Sequence, residues 1–187
     1  MREIILENFL EHSEVLEKSK NELIDRVEEV SALVVKCFAA GGKLMICGNG
    51  GSAADSQHIA AEIVGRFKKE RKGLPAIALT TDTSILTAVG NDYGYDKIYA
   101  RQVDAIGEKG DVLLAISTSG NSNNIIEAAT TAKKIGCNVV GLTGVGGGKL
   151  KSICHINIDV PSANTTRIQE IHILIGHIVC ELIENNY

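Results

Sequence analysis

No apolar run in this sequence approaches the ~20 residues that a helix needs to cross a bilayer. The stretch from Met1 to Lys18 is charged throughout and lacks the apolar centre of a secretory leader. Together these absences predict a cytoplasmic protein with no membrane partner. A basic stripe is missing too. Net charge is −4 with acids and bases interspersed, so a nucleic-acid surface is not expected, although phosphate ligands need only local donors. The five cysteines, Cys37, Cys47, Cys137, Cys154 and Cys180, are scattered, and no two stand at metal-ligand spacing. Most sit in apolar runs and read as buried free thiols of a reducing compartment. With 2 prolines against 19 glycines, loop shape must come from glycine. There is no linker, low-complexity tract or solenoid-type repeat. The 187 residues, 44% hydrophobic and 22% charged, suit one globular domain over 1–187 and are too few for two ordinary ones.

Residues 3 to about 40 contain neither glycine nor proline and read as two helices. Ile4, Ile5, Phe9 and Leu10 recur at helical spacing, as do Leu23, Val27, Val30, Leu33, Val34 and Cys37. Gly41-Gly42 closes this extension, residues 1–41. Strand and helix patterns then alternate over 42–187. Apolar runs at 43–47, 76–79, 112–116, 139–142 and 155–160 predict five strands. Helical patterns fill 53–68, 83–89, 96–106, 122–135 and about 165–184. Short continuous apolar strands between helices predict a three-layer, doubly wound, parallel α/β sheet of flavodoxin-like type. In such sheets ligands lie beyond the carboxyl ends of the strands, where strand order reverses.

Two post-strand loops are unusual. After the first strand, Gly48-Asn49-Gly50-Gly51-Ser52-Ala53 runs straight into a helix. Glycines there let backbone amides approach an anion, and the helix dipole favours it. The pattern approaches a dinucleotide fingerprint, but the next strand-end acid, Asp82, comes about 30 residues on rather than ~20. A tight turn with Ser52 as N-cap is the plainer alternative. After the third strand, Ser117-Thr118-Ser119-Gly120-Asn121-Ser122 gathers more hydroxyls than capping requires, and such groups can surround a phosphate without Lys or Arg.

On the helix after the first loop, His58 and Glu62 are four apart, hence on one face and ~6 Å apart along the axis. They can share a metal or act as an acid–base pair. On the last helix, Gln169 and His177 differ by about 80° and ~12 Å, so any shared metal would have to be bracketed from either side. His172 faces elsewhere and reads as a packing residue.

Taken together, the segments CGNGGSAADSQHIAAE, IALTTD, GNDYGYD, AISTSGNSNNIIEA and TRIQEIH, with His177 beyond, resemble the sugar isomerase (SIS) family of phosphosugar-binding domains. The resemblance spans essentially the whole chain. It implies one zinc per subunit, held by His58, Glu62, Gln169 and His177. It implies substrate contacts from Asn49, Gly50, Gly51, Ser52, Glu62, Asn91, Asp92, Ser117, Thr118, Ser119, Ser122 and Gln169. Thr166 stands where some relatives carry an acid, which bears on fine substrate contacts rather than the chemistry.

The implied reaction is isomerisation of sedoheptulose 7-phosphate to an aldose, D-glycero-D-manno-heptose 7-phosphate, at the start of heptose synthesis for bacterial surface polysaccharide. Such a shift needs a carbon base, assigned to Glu62, and an acid at the carbonyl oxygen, assigned to His177. A carboxylate bound tightly to zinc is a poorer base, so the two roles of Glu62 pull against each other. Two alternatives are a non-catalytic adaptor of the same family that binds a replication initiator, and an isomerase for another phosphosugar. The apolar stripes of the first two helices predict a homo-oligomer, a tetramer with sites shared between chains.

Overall fold

The computed structural model describes residues 1–187. Two helices lead, α1 (Arg2–Glu22) and α2 (Ile24–Ala39), broken at Leu23. Gly41, at a φ of 82°, supplies the left-handed turn that stops α2. Five strands follow, β1 (Leu44–Cys47), β2 (Ala76–Ala78), β3 (Val112–Ile116), β4 (Asn138–Thr143) and β5 (Ile156–Asp159). All pair in parallel in the order β2-β1-β3-β4-β5. This is the doubly wound order, with its switch point between β1 and β3.

The strands are apolar on both faces because both are covered. Leu44, Ile46, Leu114 and Ile116 point into a core shared with α2, α3 (Gly51–Val64) and α8 (Thr165–Glu184). Met45, Cys47, Leu113 and Ala115 point into a second core with α5 (Ala100–Ile106), α6 (Asn123–Ile135) and the single turn α7 (Gly148–Lys151). The cysteines are all free, and only Cys154 is less than fully buried.

Four expectations shift. The helix expected over 53–68 starts at Gly51 and ends at Val64, because the N–H groups of Phe67, Lys68 and Lys69 are drawn to the Glu184 carboxylate. The helix expected over 83–89 continues to Tyr93 as α4 (Thr83–Tyr93), until Gly94 turns at φ 87°. Beyond that glycine, 96–106 divides into a 3-10 turn (Tyr95–Lys97) and α5. The stripe of α2 is absorbed within the chain: Leu23, Val27, Val30, Val34 and Cys37 are buried against α8 and the sheet. Of the two leading helices, α1 is the one that keeps its apolar face outside, with Ile4, Ile5, Phe9 and Leu10 between 55% and 70% exposed. No helix is long and apolar enough to cross a membrane.

Candidate active site

Because β1 and β3 are neighbours, the two unusual loops meet at the switch point. Two reciprocal amide bonds join them: Asn49 Nδ2 donates to Asn124 Oδ1 at 2.9 Å, and Asn124 Nδ2 to Asn49 Oδ1 at 2.8 Å. Tyr99 Oη donates to Gly48 O at 2.6 Å and Tyr95 Oη to Asn49 Oδ1 at 3.3 Å, tying the first loop to the segment between α4 and α5. Gly50 turns at φ 54°, and Ser52 is buried without capping α3 by its side chain. In the second loop Ser117 Oγ donates to Ser122 Oγ at 3.1 Å, and Ser119 Oγ accepts from Asn121 N at 3.1 Å. Gly120, at φ 64°, lies so close to Gly147 that a Cβ there would stand 2.6 Å from the Gly147 carbonyl carbon. A third glycine-rich loop, after β4, thus backs the second. Asp82, the acid a dinucleotide site would need, instead caps α4 by accepting from Ile85 N at 2.9 Å.

A second cluster lies where α3 runs beside α8. Gly176 allows the approach, since a Cβ there would stand 2.8 Å from Ile59 Cδ1. His58 Nε2 is 3.0 Å from His177 Nε2 and 3.3 Å from Glu62 Oε1. The two imidazoles lie 5.0 Å apart, and the Phe67 ring is 5.7 Å from that of His177. Gln169, about two turns before His177 on α8, lies against the first loop. Its amide packs on Gly51, where a Cβ would stand 2.6 Å from Gln169 Cδ. Asp55, on α3, is 8% exposed and keeps Oδ2 without a partner. Burial pushes the Asp55 carboxyl up from its ordinary value, while the neighbouring Gln169 amide and the charges of His58 and His177 work against that rise.

The structure therefore brings together Asn49, Gly50, Gly51, Ser52, Ser117, Thr118, Ser119 and Ser122 as adjoining loops. His58, Glu62 and His177 form one cluster, and Gln169 lies against Gly51 at the first loop. His58, Glu62 and His177 do not, as they stand, close into a metal cluster. Asn91 and Asp92 lie apart, exposed at the end of α4 and bonded to each other at 2.8 Å. His172 is wholly buried, with Nε2 3.1 Å from Thr143 O, and burial pushes its pKa down to about 4. Sequence reasoning missed Asn124, whose place in an Asn-Asn pair at a helix start looks like capping. It also missed Asp55, which carries no spacing signal of its own.

Residues 9–144 match the family model described as the SIS domain. The phosphoheptose isomerase of Aliarcobacter butzleri is 53% identical over 185 residues, covering 99% of this chain and 98% of that protein. The phosphoheptose isomerase of a Nitratiruptor species is 54% identical over the full length of both. The solved structure of the phosphoheptose isomerase from Neisseria gonorrhoeae superposes with a TM-score of 0.94 at 43% identity, over 98% of each chain. The chain belongs to the SIS domain family and, within it, to the phosphoheptose isomerases.

Proposed function

We propose that this protein interconverts sedoheptulose 7-phosphate and D-glycero-D-manno-heptose 7-phosphate. The observation that carries the reading is the cluster of His58, Glu62 and His177, set on the two helices, α3 and α8, whose Gly51 and Gln169 meet at the end of the loop beginning at Gly48. The substrate bears phosphate at one end and reacts at the other, so phosphate donors and proton-transfer groups must stand a sugar's length apart. Helix α3 supplies such a spacing, since His58 lies ~10 Å along its axis from Gly51. Amides and hydroxyls of the two loops hold the phosphate; the family resemblance gives Asn91 and Asp92 to the polyol, although within one chain they stand apart from the loops.

Glu62 takes a proton from C1 while His177 gives one to the carbonyl oxygen on C2, leaving an enediol. Glu62 then returns a proton to C2 and His177 accepts the one on O1, which becomes the aldehyde oxygen. Both carbons stay in the chain and no electrons leave it.

The donor set also fits zinc. Two unprotonated imidazole nitrogens cannot face each other at 3.0 Å without a shared proton or cation. Their separation is close to the ~3.3 Å edge of a tetrahedron with Zn–N of 2.0–2.1 Å. His58 and His177, with Glu62 and the Gln169 amide swung in, would hold the ion, and the metal-binding and proton-transfer roles of Glu62 and His177 would then alternate with substrate. The chemistry such an ion would supply when bound is polarisation of the carbonyl oxygen and stabilisation of the developing oxyanion.

Exposed apolar surface supports a homotetramer of dihedral symmetry. Helix α4 buries none of its residues, α1 exposes its apolar stripe, and Leu174, Ile178 and Leu182 of α8 border a groove with Leu23 and Ile24. We place the enzyme in the cytoplasm, at the first step of heptose synthesis for lipopolysaccharide or capsule. An adaptor would have no need of the proton-transfer pair. Incubation with sedoheptulose 7-phosphate in deuterated water, followed by NMR, tests the reading. Appearance of the aldose carrying deuterium at C2 supports it, and an unchanged ketose would end it.

A further inference from the structure

Three positions of α8, His177, Glu181 and Glu184, grip the chain where it leaves α3. Spaced four and three residues apart, they fall within about 60° of one another on the helix surface. The Glu184 side chain is 2% exposed and accepts three backbone bonds, from Phe67 at 3.0 Å, Lys68 at 2.8 Å and Lys69 at 2.9 Å. Burial works to raise its pKa, but those three bonds and the Arg71 charge hold it below the ordinary value. Arg71 Nε stands 3.5 Å from Glu184 Oε1. The Arg71 guanidinium also donates to the carbonyls of Glu62 at 3.0 Å, Ile63 at 2.9 Å and Gly65 at 3.3 Å, closing the last turn of α3. Glu181 holds Lys68 Nζ at 2.7 Å, and that ammonium lies 5.4 Å over the Phe67 ring. Phe67 in turn lies against His177, its plane tilted 30° from the imidazole.

A buried ion pair adds little net stability over an apolar replacement, so stability alone is a weak reason for this arrangement. What it supplies is one fixed position for the segment. Glu62 lies at one end of the network and His177 at the other. We propose that Glu184, through Arg71 and the backbone of 67–69, is a positioning residue for proton transfer: it seats Phe67 on His177 and sets that imidazole relative to Glu62. This rests on the reading of Glu62 and His177 as the acid–base pair.

The test uses the full chain with labelled histidine and reads the His177 ring protons by NMR, assigned with His177→Ala. A stacked phenyl ring displaces those resonances from the values of an unstacked imidazole. In Glu184→Gln, which loses one acceptor and the charge, the His177 signals should move toward the unstacked values, as in Phe67→Leu, with the circular dichroism spectrum kept. The kcat on sedoheptulose 7-phosphate should fall about 10- to 100-fold, with KM within about twofold, because a small misplacement of a reacting group is costly. Phe67→Tyr should keep both the signals and the rate. A folded Glu184→Gln with unmoved His177 signals overturns the proposal, and so do moved signals with wild-type kcat. If Glu184→Gln does not fold, the Phe67 pair decides: wild-type kcat in Phe67→Leu overturns it. Turnover retained in His177→Ala would instead remove the acid–base reading, while the NMR arm still judges the contact.

Discussion

Alanine at Gly51 should separate activity from stability. Gly51 opens α3 with a φ outside the positive range, so an L-residue fits its backbone. Replacing a helical glycine with alanine adds up to about 1 kcal/mol, which for a chain of this length raises Tm by about 2–4 °C at most. The new Cβ, however, would stand 2.6 Å from Gln169 Cδ. Ordinary carbon contacts begin near ~3.5 Å, so the amide must retreat by about 1 Å. A shift of that size at a group touching the substrate costs on the order of 10²-fold in rate. The assay is kcat and KM on sedoheptulose 7-phosphate beside a thermal melt and a zinc determination. The expected result is a melt at or above wild type, with turnover reduced about 100-fold. Wild-type turnover with an unchanged melt would refute the placing of Gln169 in the reacting site.

Other substitutions probe the loops and the core. Asn124→Ala strips Asn49 of both amide bonds, so affinity for the sugar phosphate should fall by about 1–3 kcal/mol in calorimetry. Adding Asn49→Ala should cost little more; fully additive losses would mean the pair does not act as a unit. Ser119→Ala should weaken binding of phosphorylated sugar by about 1.5–3 kcal/mol and leave unphosphorylated ligands unaffected. Equal losses for both would show that this hydroxyl does not read the phosphate. His172, with its folded pKa pushed down to about 4 from 6.5, stays neutral in the native state while the unfolded chain protonates. Its effect is nil above pH 6.5, grows as pH falls, and levels off below about pH 4, a loss on the order of 3 kcal/mol. Denaturant melts of His172→Leu should therefore decline less steeply than wild type between pH 6.5 and 4, and parallel curves would contradict the assignment.

Much of the fold was legible because its physics is local. Continuous apolar runs between glycine-rich turns mark β1 to β5, and the density of hydroxyls at 117–122 marks the loop that meets the first one at the switch point. What escaped depends on distant partners. The early end of α3 is set by Glu184, well over a hundred residues away, and no propensity along 53–68 announces it. The α2 stripe by itself predicts a surface for another chain because α8, which covers much of it, is placed only by tertiary packing. The same holds within the site. The four-residue spacing of His58 and Glu62 speaks for itself, but that His177 arrives on His58 follows only from the packing of α8 on α3, tightened by Gly176. For His177 and Gln169 the resemblance to a known family carried the reading. Asp55 becomes visible only once its burial beside Gln169 is known.

The most direct measurement of the central claim is deuterium wash-in from D2O at C1 of sedoheptulose 7-phosphate, compared between wild type and Glu62→Gln at saturating substrate. A carbon base at Glu62 predicts rapid exchange in the wild type. The variant should bind the sugar in calorimetry yet exchange at least about 10²-fold more slowly, the usual cost of losing general-base help. Exchange at the wild-type rate in a Glu62→Gln protein that binds substrate would contradict the account.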